Sequence, residues 1–246
     1  MDQTRKEERR EKEIEKTENG VFDKHTLLTI SKLMSDGVID HLDFPISSGK
    51  ESFVFKAVGG DGRDLAIKVY PISTSIFRGM MRYIEGDPRY DKVKRDTKSV
   101  VFTWARKEFA NLEEIRRAGV RAPEPIGVRN NVLIMEYIGE GDRPAPMLRD
   151  VPLDRDAAAE YFNIIVGYMR AMFKAGIVHG DMSEYNVLVW RGAPVVIDVG
   201  QAVKLEHHMA KEFLKRDVRN IVKFFNRYGI NADVTETEQR IVKEND

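Results

Sequence analysis

His179, Asp181, Asn186 and Asp198 fall in the order and spacing that phosphoryl-transfer chemistry uses around a nucleotide and a divalent ion. The stretch IVHGDMSEYNVLV (177–189) reads as H-x-D-x-x-x-x-N, and VVIDVG (195–200) follows it. A carboxylate beside the acceptor can take a proton or orient a nucleophile, which is the role given to Asp181. A second carboxylate and an amide oxygen, Asp198 and Asn186, can hold Mg²⁺ (or Mn²⁺) against the phosphates of ATP. A lone Asp in a turn is usually a capping residue, but capping does not account for all four residues together.

The elements that must position these residues can be read from pattern. Val187 to Trp190 and Val195 to Ile197 are short apolar runs separated by Arg191-Gly192, which predicts a hairpin. Asn186 stands just before its first strand and Asp198 at the end of its second. Upstream, Leu65 to Tyr70 (LAIKVY) is strand-like and carries one lysine, Lys68, a costly residue to bury unpaired. Lys68 is the candidate contact to the α and β phosphates. Ahead of it, Ser47, Ser48, Gly49, Lys50, Glu51 and Ser52 form a loop whose small residues let backbone N–H groups approach phosphate oxygens. The loop is neither a Walker A motif, since Phe44 and Glu51 stand where Gly and Ser or Thr are needed, nor a G-x-G-x-x-G. Val100 to Arg117 has helical spacing through Val101, Trp104, Ala105, Phe109, Leu112 and Ile115, and Glu108 is the candidate ion-pair partner of Lys68. Val132 to Met135 reads as a buried strand. Glu136, Tyr137 and Ile138 then stand where a kinase hinge meets adenine, with Met135 behind that pocket or simply in the core.

With SSGKES, IKVY, HGDMSEYN and IDVGQ in hand, the chain resembles the RIO family of atypical serine/threonine protein kinases, most closely its type-one, archaeal-like members. The stretch TSIFRGMMRYIEGDPRY also resembles an insert of that type. The resemblance covers roughly residues 20–240. It implies an α+β, two-lobed protein-kinase-like fold with ATP between the lobes. It implies further that Asp198 can transiently accept the γ-phosphoryl group, that the protein acts as an ATP-driven switch, and that precursor small ribosomal subunits (rRNA and ribosomal proteins) are its partners.

Departures from the ordinary kinase pattern shape the expectation. Gly180 replaces the Arg of H-R-D, and Asp198-Val199-Gly200 replaces D-F-G. The tail after Gly200 is short and contains no A-P-E, which predicts a truncated C-terminal lobe without activation segment or peptide-binding helices. A small-molecule kinase of the aminoglycoside or choline type shares H-G-D-x-x-x-x-N, and a non-catalytic nucleotide-binding module is the remaining rival. The short tail and the SSGKES loop weigh against the first, and the intact Lys68, Asp181, Asn186 and Asp198 against the second.

Composition adds bounds. Basic and acidic residues balance at 40 each, and there is no Cys, hence no disulfide framework or thiol catalysis. No apolar run approaches the ~20 residues of a membrane span, and the charged N-terminus is unlike a signal peptide, so a cytoplasmic protein without membrane contact is expected. Four regions are expected: a charged arm at 1–19, frayed or disordered; a helical extension at 20–45; an ATP-binding lobe at 46–138; and a catalytic lobe at 139–246. Within the extension, Phe22, Leu27, Leu28, Ile30, Leu33 and Met34 mark an amphipathic helix. Further helices are expected over 154–175 and from about Glu206 to Tyr228. An insert at 73–99 reads as a long connector, with Ser73, Thr74 and Ser75 as candidate autophosphorylation acceptors by resemblance. Its Arg78, Arg82, Arg89, Lys92, Lys94, Arg95 and Lys98, interleaved with Phe77, Tyr83 and Tyr90, suit either RNA or protein contact or a solvated connector. His207 and His208 are expected at the surface, pointing apart on a helix. Oligomeric state is not encoded in any motif.

Overall fold

The computed structural model describes residues 22–49, 51–72, 74–90 and 92–243, with the side chains of 74–76 excepted. The chain divides into two compact units. Among the described residues, one comprises those up to Arg78 with Lys94–Arg106 and Pro125–Tyr137; the other comprises Gly79–Val93, Lys107–Glu124 and those from Ile138 onward.

The first unit is built on an antiparallel sheet in the order β1-β2-β3-β5-β4. Its strands are β1 (Ile39–Ser48), β2 (Phe53–Gly59), β3 (Asp64–Val69), β4 (Pro125–Arg129) and β5 (Val132–Glu136). Period-two alternation decides what each face carries. Phe55, Ala57, Leu65, Ile67, Val69, Val132 and Ile134 form one face and pack with Ile30 and Leu33 of helix α1 (Lys24–Ser35). Each of those two side chains contributes roughly 1.5–3 kcal/mol by leaving water. The opposite face carries Val54, Ala66, Lys68, Leu133 and Met135, fixed by the register Val54↔Lys68, Lys68↔Leu133 and Ala66↔Met135. Helix α1 starts at Asp23, whose side chain accepts the Thr26 N–H at 2.7 Å, satisfying an orphan donor of the first turn.

Two expectations are corrected here. Residues 39–45, assigned to the helical extension, are the first half of β1. Leu27, Leu28 and Met34 are exposed, and the buried face of α1 is instead Thr26, Thr29, Ile30 and Leu33. Polar threonines entered the buried stripe because Asn131, itself fully buried, donates to Thr26 Oγ1 at 2.7 Å. The charged arm at 1–19 lies outside the described residues.

Two helices, α2 (Thr74–Ile84) and α3 (Thr97–Arg117), carry residues of both units. The second unit is mainly helical: α4 (Arg155–Lys174), α5 (Ala210–Asn226) and α6 (Val234–Val242), with short strand pairs β6 (Gly139–Glu140)/β7 (Arg143–Pro144), β8 (Ile177–Val178)/β11 (Val203–Lys204) and β9 (Val187–Trp190)/β10 (Ala193–Val196). Apolar stripes of α4 (Phe162, Ile165, Met169) and α5 (Phe213, Val218, Ile221, Phe225) are buried, and the Phe162 and Phe225 rings meet edge to face at 5.6 Å. Asp154 caps α4 by accepting the Ala157 N–H at 2.8 Å, and Gly176, at φ +78°, follows its end. Helix α5 begins at Ala210, after the expected Glu206, and α6 was not foreseen. The insert is a helix followed by a short turn at Pro88–Tyr90, not an extended connector.

Candidate active site

The expected hairpin is present as β9 and β10, joined by Arg191 at φ +51° and Gly192 at φ +71°. Two positive φ values are what a two-residue hairpin needs to match strand twist. The hairpin's base brings the two candidate metal ligands to adjacent backbone positions: Ile197 N–H donates to the Asn186 carbonyl at 3.0 Å. Asn186 Nδ2 donates to the Asp181 carbonyl at 2.8 Å and to its Oδ2 at 3.1 Å. With its nitrogen so engaged, the amide turns its oxygen the other way. Asp198 follows at φ +57°, with an exposed side chain. An amide oxygen and a carboxylate are hard donors of the kind Mg²⁺ prefers, with phosphates and water completing the shell. Among the described residues no cluster of three His, Cys, Asp or Glu side chains is placed to hold a metal unaided.

The catalytic loop is held from below by side chains of α5. Asp217 is fully buried and accepts from Gly180 N–H at 2.8 Å and Met182 N–H at 3.0 Å, so its two oxygens bracket Asp181. Burial pushes its carboxyl up to about 8, against the opposing pull of these two N–H donors. Arg216 donates to the Gly180 carbonyl, and Asn220 Nδ2 to the Met182 carbonyl at 3.2 Å. His179 is buried, its Nε2 3.2 Å from the Ile197 carbonyl and its Nδ1 accepting the Asp181 N–H at 3.3 Å. A carbonyl can only accept, so the pair of contacts fixes the Nε2–H tautomer. Burial lowers this imidazole to about 4, keeping it neutral as a strut between Asp181 and the residue before Asp198. Gly180 explains the missing arginine: φ is +78° and a Cβ there would lie 2.7 Å from the Gln201 carbonyl oxygen. Burial raises the Asp181 carboxyl, with the Asn186 hydrogen bond opposing, so it is a stronger base than a solvated aspartate.

The turn after Asp198 is held by the C-terminal half of α3. Lys107 Nζ donates to the Gly200 carbonyl at 3.0 Å and to the Ala202 carbonyl. Asn111 Nδ2 donates to the Val199 carbonyl at 2.7 Å and to that of Ala202 at 3.2 Å. Glu108, on the same helix, is also buried. Burial lowers the Lys107 ammonium to about 7, with Asp87 opposing.

In the first unit, Lys68 is buried on the sheet face opposite α1, its Nζ 5.4 Å from the centre of the Tyr70 ring. Met135, paired with Ala66, shares that face. Of the expected loop 47–52, Ser47 and Ser48 are the end of β1, paired with Val54 and Phe53, so the turn of the β1–β2 hairpin begins at Gly49. Gly49 N–H donates to the Ser52 carbonyl at 3.0 Å, Ser47, Ser48, Gly49 and Glu51 are exposed, and Lys50 lies outside the described residues. Glu136 ends β5 opposite Leu65. Ile138 belongs to the second unit, where its carbonyl accepts the Ala145 N–H at 2.9 Å.

A family model described as the RIO domain matches residues 53–239. The chain belongs to the RIO family. It is 50% identical to the RIO-type serine/threonine-protein kinase Rio1 of Haloferax volcanii over 89% of this chain and 74% of that protein. The Rio1 kinase of Thermoplasma acidophilum is 43% identical over 77% of this chain and 99% of its own length. Human serine/threonine-protein kinase RIO1 is 38% identical over 85% of this chain, which spans 38% of that longer protein. A crystal structure described as the Rio2 kinase–ADP/Mg²⁺–phosphoaspartate complex from Chaetomium thermophilum superposes with a TM-score of 0.64 at 21% identity, covering 88% of this chain and 66% of that one, and shows the shared protein-kinase-like fold. This RIO domain is a serine/threonine protein kinase of the type-one, archaeal-like kind, which sets aside the aminoglycoside-type reading. No helix among its described residues is long and apolar enough to cross a membrane.

Several residues of the RIO site escaped sequence reading. Asp217, Lys107 and Asn111 all lie inside apolar helical stripes, and that misplacement of polar groups was the available signal. Lys56, a second buried strand lysine, binds Asp43 at 2.9 Å and Asp64 at 3.1 Å and has a structural role. The insert's aromatic and basic residues are partly consumed internally. Tyr83 is buried and stacks on Phe213 at 5.1 Å, Arg82 lies over the same ring at 5.7 Å, and Arg89 folds onto Asp87 at 2.7 Å. Arg78, Lys92 and Lys94 remain exposed. Ser73 lies outside the described residues, as do the side chains of Thr74 and Ser75. His207 and His208 precede α5 and stack on each other at 4.5 Å, and His207 is buried, contrary to the expected divergent surface pair.

Proposed function

We propose that this RIO domain transfers the γ-phosphoryl group of ATP in a magnesium-dependent reaction, with Asp181 orienting the acceptor and Asp198 able to receive the group itself. The observation that carries this reading is the convergence of Asn186 and Asp198 at the base of one hairpin, with Asn186 bonded to Asp181 at 3.1 Å. Asn186 Oδ1 and the Asp198 carboxylate would hold Mg²⁺, or Mn²⁺ in its place, and the ion supplies charge neutralisation at the transferring phosphoryl group. Lys68, held by Glu108, contacts the α and β phosphates. Backbone N–H groups of Ser47 to Ser52 cover the phosphates, while Met135, Glu136 and Ile138 receive the adenine.

In the transfer, the bond between the γ-phosphorus and the ADP oxygen breaks as a bond forms to the acceptor oxygen. Where the acceptor is a hydroxyl, Asp181 takes its proton. Where it is Asp198, an acyl phosphate forms, and a water molecule oriented by Asp181 then releases inorganic phosphate. The phosphoaspartate named for the Rio2 complex supports the second route as a capability of the fold. An acyl phosphate that forms and decays suits an ATP-driven switch, and we place that switch in maturation of the small ribosomal subunit, with precursor rRNA and ribosomal proteins as partners. The 74-to-75 segment and Ser73 are the proposed autophosphorylation acceptors.

Incubation with γ-labelled ATP and Mg²⁺ tests the reading. Label is expected in free phosphate and in the protein, lost in Asp181→Ala and Asp198→Ala, with little in a generic peptide. Rapid peptide labelling would replace the switch by a peptide kinase, and bound ATP without turnover would overturn catalysis.

A further inference from the structure

Lys107 occupies a position that an apolar residue would fill at lower cost. It has no exposed surface, and an ammonium taken out of water carries a desolvation penalty that only close partners offset. Its partners are unusual in where they lie. Nζ reaches the carbonyls of Gly200 and Ala202, and Asn111, one helical turn along, reaches those of Val199 and Ala202. These carbonyls point into the core immediately after Asp198, and buried carbonyls must find donors. Asp198 is therefore gripped on both sides: Ile197 N–H is bonded to Asn186 before it, and the 199–202 turn is bonded to α3 after it.

Burial lowers the Lys107 ammonium to about 7, and Asp87 of the insert opposes that shift by favouring the charged form. Asp87 is fully buried; burial pushes its carboxyl up, yet hydrogen bonds from Arg89 at 3.0 and 2.7 Å hold it below the usual range, so it stays ionised near Lys107.

We infer that Lys107, seconded by Asn111, is a positioning residue that fixes where Asp198 presents its carboxylate to the metal. The inference rests on the proposed role of Asp198 as a metal ligand. Lys107 touches neither nucleotide nor acceptor in this scheme; it acts through the backbone, as outer-shell residues act on a metal site. Loss of such a partner typically weakens metal affinity roughly 10–100-fold.

The test is the Mg²⁺ dependence of fluorescent-ATP-analogue binding by the full chain, compared at a temperature where each variant is folded by circular dichroism. Lys107→Met keeps the stem and removes the ammonium. It is expected to raise the Mg²⁺ concentration for half-saturation about 10-fold or more, while metal-free nucleotide affinity stays within about two-fold of wild type. Asn111→Leu should shift it in the same direction by less. Glu113→Gln, which breaks the surface ion pair with Arg117 on the same helix, should leave it unchanged. An unshifted half-saturation in folded Lys107→Met overturns the inference; if that variant does not fold, an unshifted value in Asn111→Leu does so. Failure of the underlying reading looks different, because Asp198→Ala would then bind with the same Mg²⁺ dependence as wild type.

Discussion

The turn between β1 and β2 and the loop from His179 to Asn186 are both assigned to the nucleotide's reacting end, yet they are built in opposite ways. The first is closed by Gly49 N–H on the Ser52 carbonyl, and Gly49 is exposed together with Ser47 and Ser48 at the end of the strand leading into it. The second is tied to α5 through Asp217, Arg216 and Asn220 and to Ile197 through His179. A turn that covers phosphates with backbone N–H groups gains from being able to settle on them. A loop that must hold a base, a metal ligand and a strut in mutual register gains from rigidity. Buried, hydrogen-bonded polar groups supply that rigidity.

The contrast can be broken most severely at Asp181. Asp181→Asn keeps the shape of the loop and removes the base, so kcat is expected to fall about 10²–10⁴-fold with Mg²⁺-dependent nucleotide binding retained; steady-state phosphate release and binding titrations read both. Gly180→Ala comes next. It places a methyl group 2.7 Å from the Gln201 carbonyl oxygen at φ +78°, and should cost about 1–3 kcal/mol of stability, seen in chemical denaturation, together with most of the activity.

Asp217→Asn sharpens the comparison without removing the side chain. One of the two N–H groups loses its acceptor, a cost of roughly 1–3 kcal/mol. The pH dependence has a definite sign. Because the folded carboxyl sits at about 8 and its ordinary value is 3.8, the folded state binds more protons in that interval. Its contribution to stability is full below the lower value and is lost as pH rises through the upper one. Denaturant midpoints of wild type should therefore fall more steeply than those of Asp217→Asn between pH 5 and 8.5; parallel profiles would refute the assignment. The smallest effect is expected at Gly49→Ala. A Cβ there meets only the Ser52 carbonyl at 3.5 Å, so folding should be unaffected and KM for ATP should rise a few-fold. A loss of stability comparable to that of Gly180→Ala would erase the distinction between the two loops.

How far the molecule was legible in its sequence follows the same divide. The hairpin between Asn186 and Asp198, helix α4 with its Asp154 cap, and the strand bearing Lys68 are local signals of apolar period and turn chemistry, and they are present. The residues that α5 brings to the loop from His179 to Asn186, and α3 to the turn after Asp198, are not local. Asp217 stands between Leu214 and Val218, where only tertiary structure reveals that two backbone N–H groups await it. Lys107 and Asn111 lie three and seven residues after Trp104, inside the stripe that singled out Glu108. The insert's charged residues leave a contact surface and a solvated connector equally open in the sequence, and that Tyr83, Asp87 and Arg89 turn inward is decided by tertiary packing.

Asp198 sits at φ +57°, in the left-handed region that only glycine enters freely and that other residues occupy at a cost of about 1 kcal/mol or more, smallest for asparagine and aspartate. The turn is thus less comfortable with its working residue than with a substitute. Replacement by glycine would relax the backbone, and asparagine would tolerate it, yet neither supplies a carboxylate. A library of this chain enriched for heat resistance alone would drift at this position toward inert but hardier proteins, so any thermostabilisation campaign must score turnover alongside melting.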